Sequence, residues 1–174
     1  NIVIEEANFN FNKKNYNFFV RLLDSNFNNI KLEIVNSNIF YRNLENNVLF
    51  INKILDAKYI YDFNESKNIL YFNNEIFNLP YSIKLFKNKD EKKLYTKIEI
   101  DSLRLQAENQ FSYDGDFIFG LSEFNILNTR SIAEYKTDKN LFEFKLFDNG
   151  HKSKFSYNGK FYFKPFHSYV TGST

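Results

Sequence analysis

Residues 36–63, NSNIFYRNLENNVLFINKILDAKYIYDF, decide how the chain is read. Ile39, Phe40 and Tyr41 end a short strand, and a polar tip follows over Arg42, Asn43, Leu44, Glu45, Asn46 and Asn47. Val48 to Ile51 then resume the apolar run, the pattern of a β-hairpin. After Asn52, Lys53 and Asp56, the residues Ala57, Tyr59, Tyr61 and Phe63 alternate with Lys58, Ile60 and Asp62. A period of two sends one set to each face of a strand, so one face is aromatic and the other mixed.

Upstream, Ile2 to Phe11 alternate as an edge-like strand. Tyr16, Phe19, Val20, Leu22 and Leu23 recur at helical spacing and predict one short amphipathic helix over Asn15 to Ser25. A helix this short is marginal alone and is expected to plug or cap the sheet. Ile30, Leu32 and Ile34 share one parity while Val35, Ile39 and Tyr41 take the other, which predicts a bulge or bend near Asn36 to Asn38. Downstream, turns are predicted at Glu65 to Asn68, Asn73-Asn74, Lys87 to Lys93, Asp114-Gly115-Asp116, Asp148-Asn149-Gly150 and Asn158-Gly159. Pro80, which has no backbone donor, is expected to bend its strand or place it at an edge. About a dozen short strands and one helix make an all-β chain. The expected architecture is a long, curved, gutter-like antiparallel sheet, with a β-sandwich as the alternative.

With 174 residues the chain suits a single β-rich domain, residues 1–174. It begins at Asn1 and has no Met, so a segment of a longer protein is expected. Its 23 Lys and Arg face 21 Asp and Glu, a balance that gives no reason to expect nucleic acid as a partner. The absence of Cys excludes disulfides, thiolate zinc sites and a Cys nucleophile. The longest apolar runs fall far below the ~18 residues of a spanning helix.

No constellation for catalysis emerges, and an enzyme is not expected. His151 and His167 stand alone, without a second ligand type at metal spacing, so no metal is expected. Asp114-Gly115-Asp116 lacks the further oxygens of a calcium loop and reads as a hairpin turn. Glu5-Glu6 and Asp90-Glu91 are adjacent pairs, which point to opposite faces of a strand and cannot share a proton. Gly159 to Phe163, GKFYF, loosely matches the aromatic strand of an RNA-binding sheet but lacks the rest of that motif. What remains is an aromatic load of 22 Phe and 12 Tyr, which an ordinary sandwich core would also explain.

An order of features runs along the chain: the helix, then IKLEIVNSNIFYRN (30–43), VLFINKILDAKYIYDF (48–63), NNEIFNLPYSIKL (73–85), LRLQAENQFSYDG (103–115) and YNGKFYFKPF (157–166). In this order, with Arg42 and Asn43 at a strand-edge position, the chain resembles the AsmA-like proteins of Gram-negative envelopes. That group includes bridge-like lipid transporters built of repeating β-groove units. The resemblance implies a periplasmic location, an inner-membrane anchor outside this segment, and adjoining segments of the same chain that extend the sheet. It also implies a non-enzymatic role, without cofactor, in conducting phospholipid or another acyl lipid between membranes during outer-membrane biogenesis. A gutter with an apolar concave face would then be lined by Tyr59, Tyr61, Phe63, Phe117, Phe119, Leu121, Phe142, Phe144, Leu146, Phe161 and Phe163. The alternative is a binding or structural sandwich for carbohydrate or protein adhesion.

Overall fold

The structure is a computed structural model that describes residues 1–12, 31–88, 93–148 and 155–174. The helix expected over Asn15 to Ser25, the turns expected at Lys87 to Lys93 and at Asp148-Asn149-Gly150, and His151 lie wholly or largely outside those residues. The chain is nearly all β and no barrel closes. It divides into two compact units, Asn1–Glu91 and Lys92–Thr174. Among the described residues of each unit the substantial contacts between strands all run between hydrogen-bonded neighbours, so those strands form a single open layer of sheet. No helix among the described residues is long and apolar enough to cross a membrane.

The first unit contains β1 (Ile2–Glu5), β2 (Asn8–Phe11), β3 (Leu32–Arg42), β4 (Val48–Asp62), β5 (Lys67–Ile76) and β6 (Leu79–Asn88). From β3 to β6 it is an antiparallel meander. The expected single N-terminal strand is two, both parallel to β3, and they break at Glu6, whose φ is +54°. The quoted hairpin forms as read, with Tyr41 opposite Phe50. Of the bulge or bend expected near Asn36, the structure has the bend: Asn36 takes a φ of +47°, and the pairing passes from Val35–Asp56 to Ser37–Ile54, skipping Asn36 and Leu55 alike so that the register is kept. β4, however, runs unbroken through Asn52 to Asp56 for 15 residues.

Arg42 and Asn43 hold the hairpin tip together. Arg42 Nε donates to Asn10 Oδ1 at 2.7 Å and its Nη1 to the Asn46 carbonyl at 2.8 Å. Asn43 Oδ1 accepts the backbone N–H groups of Glu45 and Asn47.

The turn expected at Asn73-Asn74 is not there. Those residues lie inside β5, with Asn74 buried opposite Ile54 and Tyr81. The chain turns instead at Phe77-Asn78, both with positive φ, the backbone of a two-residue hairpin that matches strand twist. Asn tolerates that conformation, whereas Phe carries no signal for it.

Cross-strand pairing puts Leu32, Ile34, Ala57, Tyr59, Leu70, Phe72, Ile83 and Leu85 on one face. The core of the unit sits there: of the described apolar residues, Ile54, Ala57, Tyr59 and Leu70 are buried on it and only Ile69 on the other. The same face also buries Ser37, Asn52 and Asn74. Ser37 Oγ accepts the Ala7 N–H and donates to the Val35 carbonyl, which ties the break between β1 and β2 to the bend at Asn36. Tyr81 Oη donates to Asn52 Oδ1 at 2.8 Å. Burial pushes the Tyr81 hydroxyl above its usual range, which keeps it a neutral donor at physiological pH.

Asn52→Ala is therefore expected to leave a half-buried hydroxyl without this acceptor, at a cost of about 1–3 kcal/mol. Adding Tyr81→Phe should recover part of the loss. Chemical denaturation of the single and double variants tests this, and a double variant worse than the sum of the singles would refute the pairing.

The second unit contains β7 (Lys93–Ile100), a 3-10 turn at Asp101–Leu103, β8 (Leu105–Asp114), β9 (Phe117–Ile126), β10 (Thr129–Thr137), β11 (Leu141–Asp148), β12 (Ser156–Phe163) and β13 (Phe166–Ser173). Every consecutive pair is antiparallel. The turn expected at Asp114-Gly115-Asp116 forms, with Gly115 at a φ of +61°. The one expected at Asn158-Gly159 does not, because both residues lie within β12 and the chain reverses at Lys164-Pro165.

Candidate functional site

The two faces of the second unit differ in chemistry. One carries Ile98, Ala107, Phe124, Tyr135, Phe142, Phe144, Leu146, Tyr157, Phe161 and Phe163. The opposite face carries most of the charge: Lys97, Glu108, Glu123, Arg130, Glu134, Lys136, Glu143, Lys145 and Lys160.

Three glycines shape the apolar face. A Cβ on Gly120 would overlap the Tyr135 ring, one on Gly159 the Phe144 ring, and one on Gly172 the Tyr157 ring. Each ring thus lies flat across the neighbouring strand, in space that only glycine leaves open. Tyr135 Oη reaches β8, where it donates to Asn109 Oδ1 at 3.0 Å, and the buried Ser122 donates to the same oxygen at 2.7 Å. Phe144 stacks on Phe161 with centroids 5.6 Å apart and planes 14° apart, and Phe142 lies beside both. These rings stay half-exposed, and no apolar side chain described in this unit is fully buried.

Of the eleven residues expected to line a common track, the structure brings together Phe142, Phe144, Leu146, Phe161 and Phe163. Phe117, Phe119 and Leu121 are on the opposite face, opposite Asp114, Lys136 and Glu134. Parity within β9 is as read, but the two-residue turn between Ile126 and Thr129 pairs odd positions of β9 with even positions of β10. Carried through β11, that register puts Phe119 on the face of Glu143, not of Phe144. Tyr59, Tyr61 and Phe63 belong to the first unit. There Tyr59 is sealed at 2% exposure, Tyr61 meets Phe63 edge-on at 5.0 Å, and Phe63 projects beyond the end of β4.

The charged face of the second unit contains a feature that sequence reasoning missed. A shallow trough of about 820 Å³ opens on it across β9 to β13. Its floor is the backbone row Gly120, Tyr135, Phe144 and Gly159, of which only Tyr135 and Phe144 carry side chains, both leaving by the other face. One wall is the cross-strand row Phe119, Lys136, Glu143, Lys160 and Tyr169; the other includes Glu134, Lys145, Asn158 and Thr171. Lys136 Nζ stands 4.0 Å from the centroid of Phe117 and 5.4 Å from that of Phe119, within cation–π range. The hydrogen bond from Lys160 to Glu143 holds the Lys160 ammonium above its usual range. At the far end Tyr162 stacks on His167 at 4.3 Å, and Tyr169 stands edge-on to both. Signals for the trough were present as alternating Lys and Glu, but only the register aligns them into rows.

Among the described residues no group of three or more His, Cys, Asp or Glu side chains is placed to hold a metal ion. Comparison with protein-family models, curated proteins and solved structures finds no match to this chain.

Proposed function

We propose that the second unit is a lipid-binding sheet whose apolar face holds the acyl chains of a phospholipid. The observation that carries this reading is that face itself: a continuous field of half-exposed Phe, Tyr, Leu and Ile side chains on a single layer, with no second layer over it among the described residues of this unit. Apolar area of this extent is unfavourable in water and marks a surface that another apolar body covers. The likeness to AsmA-like envelope proteins extends the proposal to phospholipid transfer in a periplasm, with a membrane anchor and neighbouring sheet segments supplied by a longer chain.

Magnitude favours a diacyl lipid over a fatty acid. Full burial of a methylene is worth about 0.8 kcal/mol, and an open face covers about half of a chain. One sixteen-carbon chain then gains roughly 6 kcal/mol before ordering costs, so a second chain is needed for retention.

Native mass spectrometry after incubation with palmitoyl-oleoyl phosphatidylethanolamine vesicles tests the proposal. Bound phospholipid is expected on the unaltered chain, at least about tenfold less on Ile126→Asp/Phe163→Asp, and an unchanged amount on Phe119→Asp. Ile126 and Phe163 are exposed positions of the apolar face and Phe119 an exposed one of the other, so the fold survives in all three. Absence of lipid from the unaltered chain, or equal loss from both kinds of variant, would overturn it.

A further inference from the structure

We propose that the trough across β9 to β13 binds a linear, uncharged oligosaccharide. It lies on the face away from the acyl-binding surface, so it stands or falls independently of the lipid reading. Three properties converge on this class of ligand.

The first is shape. Five strands spaced by ~4.8 Å give a trough about 19 Å long, perpendicular to the strands. Its floor is backbone already paired within the sheet, so an extended peptide finds no free ladder to join. A flexible chain of ring-shaped units finds a channel of fitting length, and about 820 Å³ is within the size range of small-molecule sites.

The second is charge. Along one wall Lys136, Glu143 and Lys160 alternate in sign, and Glu134 faces Lys145 along the other. A polyanion or polycation therefore meets nearly balanced charge and gains little from the field. Ammonium groups only donate hydrogen bonds and carboxylates only accept them, while each sugar hydroxyl does both. A polyol can thus engage alternating donors and acceptors without bringing a charge of its own.

The third is the pair of aromatic ends. Phe119 closes one end of the wall and Tyr169 the other, with Tyr162 beside it. Tyr169 is 64% exposed, an amphipathic ring held in water on a regular strand. Such rings offer a flat apolar surface to the C–H face of a pyranose and, in tyrosine, a hydroxyl at the rim.

The test is a ¹H–¹⁵N NMR titration of the chain with cellotetraose, maltotetraose and chitotetraose, with a sulfated heparin tetrasaccharide alongside. At least one neutral tetrasaccharide is expected to give saturable shifts along the row from Phe119 to Tyr169. Tyr169→Ala should weaken its binding about tenfold or more. Val170→Ala, on the same strand but the opposite face, should leave it unchanged and controls for damage to β13. Silence from all three neutral sugars, a response to the sulfated one alone, or binding that survives Tyr169→Ala would each overturn the proposal.

Discussion

Tyr59→Ala is expected to destabilise the first unit by about 3–5 kcal/mol, the range for emptying a large aromatic site in a packed interior. Tyr59 is 2% exposed and lies between Leu32 of β3 and Leu70 of β5, so neighbours on both sides lose contact and the sheet cannot collapse into the space from one direction. A loss of that size approaches the whole stability of a small domain. Phe63→Ala, at 66% exposure, should by contrast stay within about 0.5 kcal/mol. Hydrogen exchange read strand by strand locates the effect in β3 to β6, and urea denaturation sizes it. The contrast bears on function, because a tyrosine lining an open track would be replaced at little cost in stability. A change below about 1 kcal/mol for Tyr59→Ala would return that residue to the list of candidate lipid contacts.

The second large effect is expected at Gly159, where alanine should destabilise the second unit by about 2 kcal/mol. The new methyl group overlaps the Phe144 ring, which must lift away and abandon its stack on Phe161. Overpacking of this kind costs about 1–3 kcal/mol and a lost aromatic pair about 0.5–1.5. The better strand propensity of alanine offsets about 0.5–1 of that. Because the harm passes through one ring, Gly159→Ala and Phe144→Ala together should destabilise by clearly less than their sum. Thermal or urea unfolding of the four proteins in the cycle measures the coupling. Strict additivity would mean that the ring does not lie over the glycine. Far-UV circular dichroism should remain that of a β protein throughout.

Much of this fold was legible. The hairpin tip between Tyr41 and Val48 and the bend at Asn36 follow from where apolar parity breaks and resumes, and local chemistry enforces both. What failed has identifiable causes. Asn73-Asn74 looks like a turn because Asn is common in turns, yet Asn74 lies buried within a strand, where pairing with Ile54 and Tyr81 on either side overrides that local preference. Gly159 looks like a turn residue because glycine usually bends a chain, but here its missing side chain makes room for Phe144. β13, FHSYVTGS, alternates too weakly to be seen, and pairing with β12 creates it. The candidate sites suffered most, because parity is a property of one strand whereas a shared face depends on the register of every turn between strands. The register at Ile126–Thr129 sets Phe119 beside Lys136 and away from Phe144, and the next two registers, of β10 with β11 and of β11 with β12, align Lys136 with Glu143 and Lys160.

From β3 to β6 in one unit, and from β7 to β13 in the other, each strand pairs with those before and after it in the chain. Such a meander behaves as a nearly one-dimensional array, in which each hairpin closes a short loop and no distant segment must be found first. Folding can start at any hairpin and spread to its neighbours. Over evolutionary time the same property lets a hairpin be gained or lost without rewiring the others, so the width of each sheet is free to change one hairpin at a time.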